Sequence, residues 1–180
     1  DAICNIPALY VTPTMLLVPS EYATIQSAID AAANGDTVYV SNGTYAENIN
    51  YNNKDLFILG ENRDATIIDG SQNGSVVTLN GASTIKRFTI QNGSGTFIGL
   101  NQYLVEMYRG GGINAMDNSS INYIDDCVVK NNNLRVHSGA DGRGGGIYAN
   151  SKTIIKNCEL FNNQCQQYGG GIYGGDRIES

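Results

Sequence analysis

Few residues in this chain could do chemistry. Asp125-Asp126 is an adjacent carboxylate pair. Two carboxyls about 5–9 Å apart can cleave a glycosidic bond when one of them keeps its proton. Neighbouring residues of a strand face opposite sides, so only one of this pair can reach a shared cleft; a solvated turn ahead of Cys127 is the plainer reading. His137, the lone histidine, shares the stretch HSGADGRGGG with Asp141 and Arg143. Metal-assisted elimination on a sugar acid wants several acidic calcium ligands and a base that takes a ring proton. One His, one Asp and one Arg in a glycine-rich loop do not make that set. Calcium at Asp117 or Asp141 has no supporting ligand spacing, so no cofactor, metal ligand or catalytic residue is assigned. Tyr103, Tyr108 and Tyr123 could serve as stacking platforms for sugar rings. Asn42, Asn73, Asn92 and Asn118 each begin a glycan-acceptor triplet, a pattern expected by chance in so Asn-, Gly- and Ser-rich a chain.

The scaffold for these residues is written in the composition. The 180 residues are enough for one domain. Hydrophobic residues make up 41% and charged residues only 16%, so neutral polar groups must cover the surface; there are 22 asparagines beside 22 glycines. A net charge of −6 excludes nucleic acid as a partner, because phosphate binding needs clustered Lys and Arg. It also disfavours polyanionic sugars unless a cation bridges. No apolar run approaches the ~20 residues of a membrane span.

Punctuation divides the chain. All three prolines (Pro7, Pro13, Pro19) lie in residues 1–19, which read as an extended N-terminal arm. From residue 20 on, proline is absent, as continuous interior sheet requires. Ile25, Ala28, Ile29 and Ala32 form one helical stripe, predicting a capping α-helix over about 24–33 with Thr24 as N-cap. Its place before a series of strands makes it a lid for the first of them.

Repeats decide the fold. GGGI occurs three times, with its isoleucines at Ile113, Ile147 and Ile172, spaced by 34 and 25 residues. A second string follows as RFTIQN, DCVVKN and NCELFN, aligning Asn92, Asn131 and Asn162. A period near 25 residues cannot bury its own core, so successive repeats must stack. The expected architecture is all-β, a right-handed parallel β-helix of about five coils over residues 20–180. Asn92, Asn131 and Asn162 should form a side-chain ladder, and Ile113, Ile147 and Ile172 an inward column. Extra residues should leave as insert loops at about 94–109 and 134–143.

The same alignment places Cys127 and Cys158 on successive coils, within disulfide range; two small buried thiols in a ladder fit equally. Cys4 and Cys165 remain, at opposite ends. The arm is long enough to bring Cys4 to Cys165 of its own chain, and a head-to-tail neighbour would do so as well. Either pairing implies an oxidising compartment.

The stretch Val18–Ile49, then ATIIDG and the GGGIY and NC repeats, resembles the secreted β-helix proteins of the pectin-lyase-like superfamily. The GGGI and FNN elements also resemble repeats of polymorphic outer-membrane proteins. The resemblance implies the fold and a secreted or cell-surface setting, which a chain starting at Asp1 in place of Met also fits. It does not imply one activity, since the superfamily holds lyases, hydrolases and adhesins. Polygalacturonase-type members carry an aspartate doublet like Asp125-Asp126, but their NTD, Gly-His-Gly and Arg-Ile-Lys marks are missing; Arg177-Ile178-Glu179 differs at its last position. The resulting expectation is a non-catalytic structural or adhesive protein, joined head to tail into filaments or a surface layer. The alternatives are a carbohydrate-binding or polysaccharide lyase- or hydrolase-like module, with extracellular carbohydrate as partner, or a fragment of a longer β-helix.

Overall fold

The computed structural model describes residues 12–116, 119–175 and 177–179. Its strands coil into a parallel β-helix of five complete turns. Sheet A has seven strands: Met15–Val18, Thr37–Val40, Phe57–Gly60, Thr84–Lys86, Asn122–Asp125, Thr153–Lys156 and Arg177–Glu179. Sheet B has five, from Gly43–Ala46 to Glu159–Phe161, and sheet C five, from Ile49–Asn50 to Ile172–Gly174.

Register makes the core. In sheet A, Leu16, Val38, Ile58, Ile85, Ile124 and Ile155 lie one above another. All are at most 7% exposed, and each isoleucine so buried contributes about 1.5–3 kcal/mol. Sheet C stacks Ile49, Val77, Ile113, Ile147 and Ile172. Sheet B stacks Ile68, Ile90, Val129 and Leu160.

The first coil is covered by the helix Ile25–Ala31, which buries Ile25, Ala28 and Ile29. Seven residues are too few for a helix to persist alone, so its ends are held from below. Thr24 caps through its hydroxyl, and the Glu47 carboxylate accepts from the Ile25 and Gln26 N–H groups at 3.0 and 2.9 Å. At the other end the Lys54 ammonium donates to the carbonyls of Ile29, Asp30 and Ala32, each at 2.8 Å. An anion at the N-terminus and a cation at the C-terminus match the helix dipole.

Three features differ from the sequence-based picture. Within the segment read as an arm, Met15–Val18 is a sheet A strand paired with Thr37–Val40, its alternating apolar residues completing the core column. The segments read as insert loops carry strands: Thr96–Leu100 runs antiparallel to Glu106–Arg109, which pairs in parallel with Asp141–Arg143. We term this three-stranded unit sheet D. Third, Asn92, Asn131 and Asn162 occupy a corner with φ of 58°, 55° and 55°, a left-handed conformation that asparagine tolerates well. The amide ladder runs one residue further on. Asn132 Oδ1 accepts from the Gly93 N–H, Asn132 Nδ2 donates to Asn163 Oδ1 at 3.0 Å, and Asn163 Nδ2 donates to the Val129 carbonyl at 2.7 Å.

Close stacking of coil on coil beside that ladder accounts for the GGGI string. Its first glycines, Gly110, Gly144 and Gly169, have positive φ. At the second position a Cβ on Gly111 would stand 2.1 Å from the Gly145 carbonyl oxygen. At the third, a Cβ on Gly112 would meet the Asn132 amide at 2.7 Å, and one on Gly146 the Gly171 oxygen at 2.5 Å. Gly171, the same position one coil on, has nothing within 4 Å. Gly146→Ala should therefore cost about 2–3 kcal/mol in urea unfolding, and Gly171→Ala no more than about 0.5 kcal/mol. Equal losses would show that close stacking is not what the motif serves.

Candidate functional site

The residues preceding GGG fall in register. Arg109 pairs with Arg143, and Arg143 with Tyr168. Beside them runs the outward column of sheet C: Asn50, Thr78, Asn114, Tyr148 and Tyr173. Sheet D thus rises along one edge of sheet C, and the two columns meet.

Two guanidinium groups one strand apart would repel each other. Asp141 lies between them, its Oδ2 3.1 Å from Arg109 Nη2 and its Oδ1 2.9 Å from Arg143 Nε. Arg109 also donates to the Tyr108 and Asp141 carbonyls at 2.8 and 2.9 Å. Aromatic faces complete the enclosure. Arg109 sits 5.2 Å over the Tyr148 ring, and Arg143 lies 4.9 Å from the Tyr173 ring centre and 5.7 Å from that of Tyr168. Tyr148 and Tyr173 stack with centroids 5.7 Å apart, and the Tyr173 hydroxyl accepts from Arg143 at 2.8 Å. Cations over tyrosine faces in a partly dry site gain about 0.5–2 kcal/mol each.

Burial raises the Asp141 carboxyl, but the Arg143 hydrogen bond and the charges of Arg109 and Arg143 outweigh it and hold the group below the ordinary carboxylate range. It is an anion at neutral pH. Arg109 is only 3% exposed, and its Nε is a buried donor without a partner among the described residues. The Arg143 side chain is 32% exposed and faces solvent beside Tyr168. The arrangement offers a fixed carboxylate, an accessible guanidinium fork and a ring platform, which suits a sugar ring bearing a carboxyl or an ester.

On the outer lip, His137 Nε2 contacts Glu106 Oε2 at 2.7 Å and Nδ1 contacts the Ser138 carbonyl at 3.0 Å. Both ring nitrogens face acceptors, led by Glu106, so the imidazole is raised above its ordinary value. Tyr108 donates to the same Glu106 oxygen at 2.9 Å.

Other sequence candidates lie elsewhere. Asp125 and Asp126 do point apart. Asp125 is held by Lys86 at 2.7 Å and Lys156 at 3.8 Å on sheet A, while Asp126 meets Arg63 at 3.4 Å and Arg87 at 3.6 Å at the corner. Arg63 also binds Glu159. Tyr123 belongs to sheet A, and Tyr103 is 76% exposed in the turn of sheet D. Cys127, Cys158 and Cys165 are free thiols. Burial, then the hydrogen bond with Cys158, pushes the Cys127 thiol up. Cys165 donates to the Gly142 carbonyl at 3.2 Å. Cys4, Asp117 and Asn118 lie outside the described residues. Among the described residues no group of three or more His, Cys, Asp or Glu is placed to hold a metal, and no helix is long and apolar enough to cross a membrane. Glu106, Arg109, Tyr148, Tyr168 and Tyr173 escaped the sequence reading. For all but Glu106 the signal was the residue on either side of each GGGI.

No family model matches the chain. It is similar to the probable pectinesterase/pectinesterase inhibitor 17 of Arabidopsis thaliana, 26% identical over 154 residues, covering 78% of this chain and 30% of that protein. It is 25% identical over 154 residues to pectinesterase 2 of Citrus sinensis, with 77% and 30% covered. The chain therefore spans under a third of these relatives. Among solved structures, pectin methylesterase from carrot superposes with a TM-score of 0.52 at 16% identity, covering 94% of this chain and 64% of that one. Pectin methylesterase PemA from Erwinia chrysanthemi gives 0.51 at 14%, covering 87% and 57%. Both share the parallel β-helix fold.

These relatives overturn the expectation of a non-catalytic structural or adhesive protein, since the proteins it resembles in sequence carry the names of enzymes. Neither Asp125-Asp126 nor the His137, Asp141 and Arg143 stretch carries a sequence motif for ester hydrolysis. The resemblance to polymorphic outer-membrane proteins has no counterpart among them.

His137 titrates through the Glu106 pair, and the sign follows from both shifts. The pair is charged between the lowered Glu106 value and the raised His137 value. Its contribution is present at mildly acidic pH and is lost as pH rises through the His137 midpoint. As the lone histidine, His137 gives one NMR titration curve. Its midpoint should lie above about 6.5 and move down in Glu106→Gln; an unmoved midpoint would refute the contact.

Proposed function

We propose that this chain is the β-helix of a carbohydrate-active enzyme that hydrolyses methyl esters on an acidic polysaccharide, with the polymer lying across sheet C. The observation that carries this reading is Asp141, an ionised carboxylate locked between Arg109 and Arg143 at the edge of the tyrosine platform. The names of the relatives supply the substrate class.

The chemistry available to these groups is simple. Asp141 takes a proton from a water molecule, whose oxygen adds to the ester carbonyl carbon. The charge that builds on the carbonyl oxygen falls to the Arg143 guanidinium and the Tyr173 hydroxyl, fixed before the reaction starts. Collapse breaks the bond to the methoxy oxygen, the proton passes to that oxygen, and methanol and a carboxylic acid leave.

Net charge fits a cycle of this kind. Esterified units are neutral and can approach a chain of net charge −6; the carboxylates formed are repelled by it. A polymer is also too large to be taken up, so we place the enzyme outside the cell.

Methanol release from methyl-esterified polygalacturonate tests the proposal. Asp141→Asn keeps the side-chain shape and should lower the rate by about 100-fold or more, with a thermal melt reporting whether the fold is retained. A wild-type chain that liberates no methanol, or a folded Asp141→Asn variant as fast as wild type, would reject it.

A further inference from the structure

The N-terminal half of sheet C holds a second site of different character. A cleft of about 340 Å³ opens there, lined by Asn53, Thr78, Leu79, Asn80, Asn114 and Met116. Among the described residues no lining residue is charged, whereas the neighbouring Asp141 site, whose Tyr148 pairs with Asn114, is built from charges. Its volume is at the lower end of small-ligand sites.

Asn114 supplies the pointer to a ligand. Ile113 and Ala115 face the core, so Asn114 faces out, between Thr78 and Tyr148. It is nevertheless 4% exposed, and its Oδ1 is a buried acceptor with no partner among the described residues. An unmade hydrogen bond of this kind costs about 1–3 kcal/mol, and nothing in the fold demands an amide there: the same column carries a threonine above and a tyrosine below. The rest of the lining is amide, hydroxyl and apolar surface.

We propose that this cleft is a subsite for an uncharged, hydroxyl-bearing sugar unit, one of whose hydroxyls donates to Asn114 Oδ1. The proposal rests on sheet C being the carbohydrate face, but not on ester chemistry. A charged uronate would lose its hydration in a cleft whose described residues offer no cation, so the subsite discriminates against it.

The test is calorimetric titration of the full chain with a neutral galactose oligosaccharide and with the matching galacturonate oligosaccharide. The neutral oligosaccharide should bind, and its binding alone should depend on Asn114. Asn114→Leu should weaken it by about tenfold and leave the melting temperature unchanged or raised, because the orphan acceptor is gone. A structural role for Asn114 would instead lower the melting temperature. If Asn114→Leu does not fold, Thr78→Val on the same wall should weaken neutral binding severalfold. Undiminished neutral binding in the folded variants, or an equal loss of uronate binding in Asn114→Leu, overturns the subsite even if methanol release succeeds. Conversely, Asn114-dependent neutral binding without methanol release upholds the subsite and removes the esterase reading alone.

Discussion

Everything in this molecule depends on coils stacking in parallel register, each strand hydrogen-bonded to its equivalent about 4.8 Å away. This spacing makes every side chain the neighbour of its own counterpart. For isoleucine, asparagine and tyrosine that is favourable, since like surfaces pack, amides bond amides and rings stack. For charges it is not: two like charges at this separation repel by about 1 kcal/mol in water and several times that near a protein surface. The 16% of charged residues and the 22 asparagines follow from that constraint. Where charges do stack, their signs alternate, as in Lys86, Asp125, Lys156 and Glu179 along sheet A.

The exception marks the site. Arg109 above Arg143 breaks the alternation and is tolerated because Asp141 reaches between them and tyrosine faces take up the remaining charge. Burying Arg109 at 3% exposure, its Nε without a partner among the described residues, is costly. A fold that needed only stability would stack an asparagine or a valine there. The insertions of the third and fourth coils, which form sheet D, provide the wall that makes this burial possible.

Fold and site were legible to different depths. Periodicity exposes the fold because every coil repeats the same inward positions; three copies of GGGI suffice to set Ile113, Ile147 and Ile172 in one column. The capping helix was equally visible, since Ile25, Ala28 and Ile29 must face the coil they cover. Side-chain ladders were harder. Asn92, Asn131 and Asn162 align as well as Gly93, Asn132 and Asn163, and only backbone angles say which column turns the corner and which points inward. The Asp141 site was hidden for another reason. Its parts are separated by up to 67 residues, from Glu106 to Tyr173, and none of them is a motif. Arg109 and Tyr148 acquire meaning only when the coils are laid on each other. Asp141 and Arg143 were visible as residues, but their stretch read as a loop because glycine content conceals a short parallel strand.

Sheet C carries the consequence of these choices along its length. Its outward column begins with Asn50, Thr78 and Asn114, uncharged and hydrogen-bonding, and ends with Tyr148 and Tyr173 under Arg143. Sheets A and B present no comparable division, because their charges are compensated within single columns or at corners, as Asp126 is by Arg63 and Arg87. A polymer laid along the helix axis would therefore meet uncharged groups at one end and the Arg109–Asp141–Arg143 cluster at the other. Such a gradient orients a chain by charge rather than by shape, and it is available to a β-helix because a single insertion can change one end of a sheet while the backbone ladder holds the other end fixed. The stacking that forbids like charges elsewhere thus lets the one compensated pair define a direction.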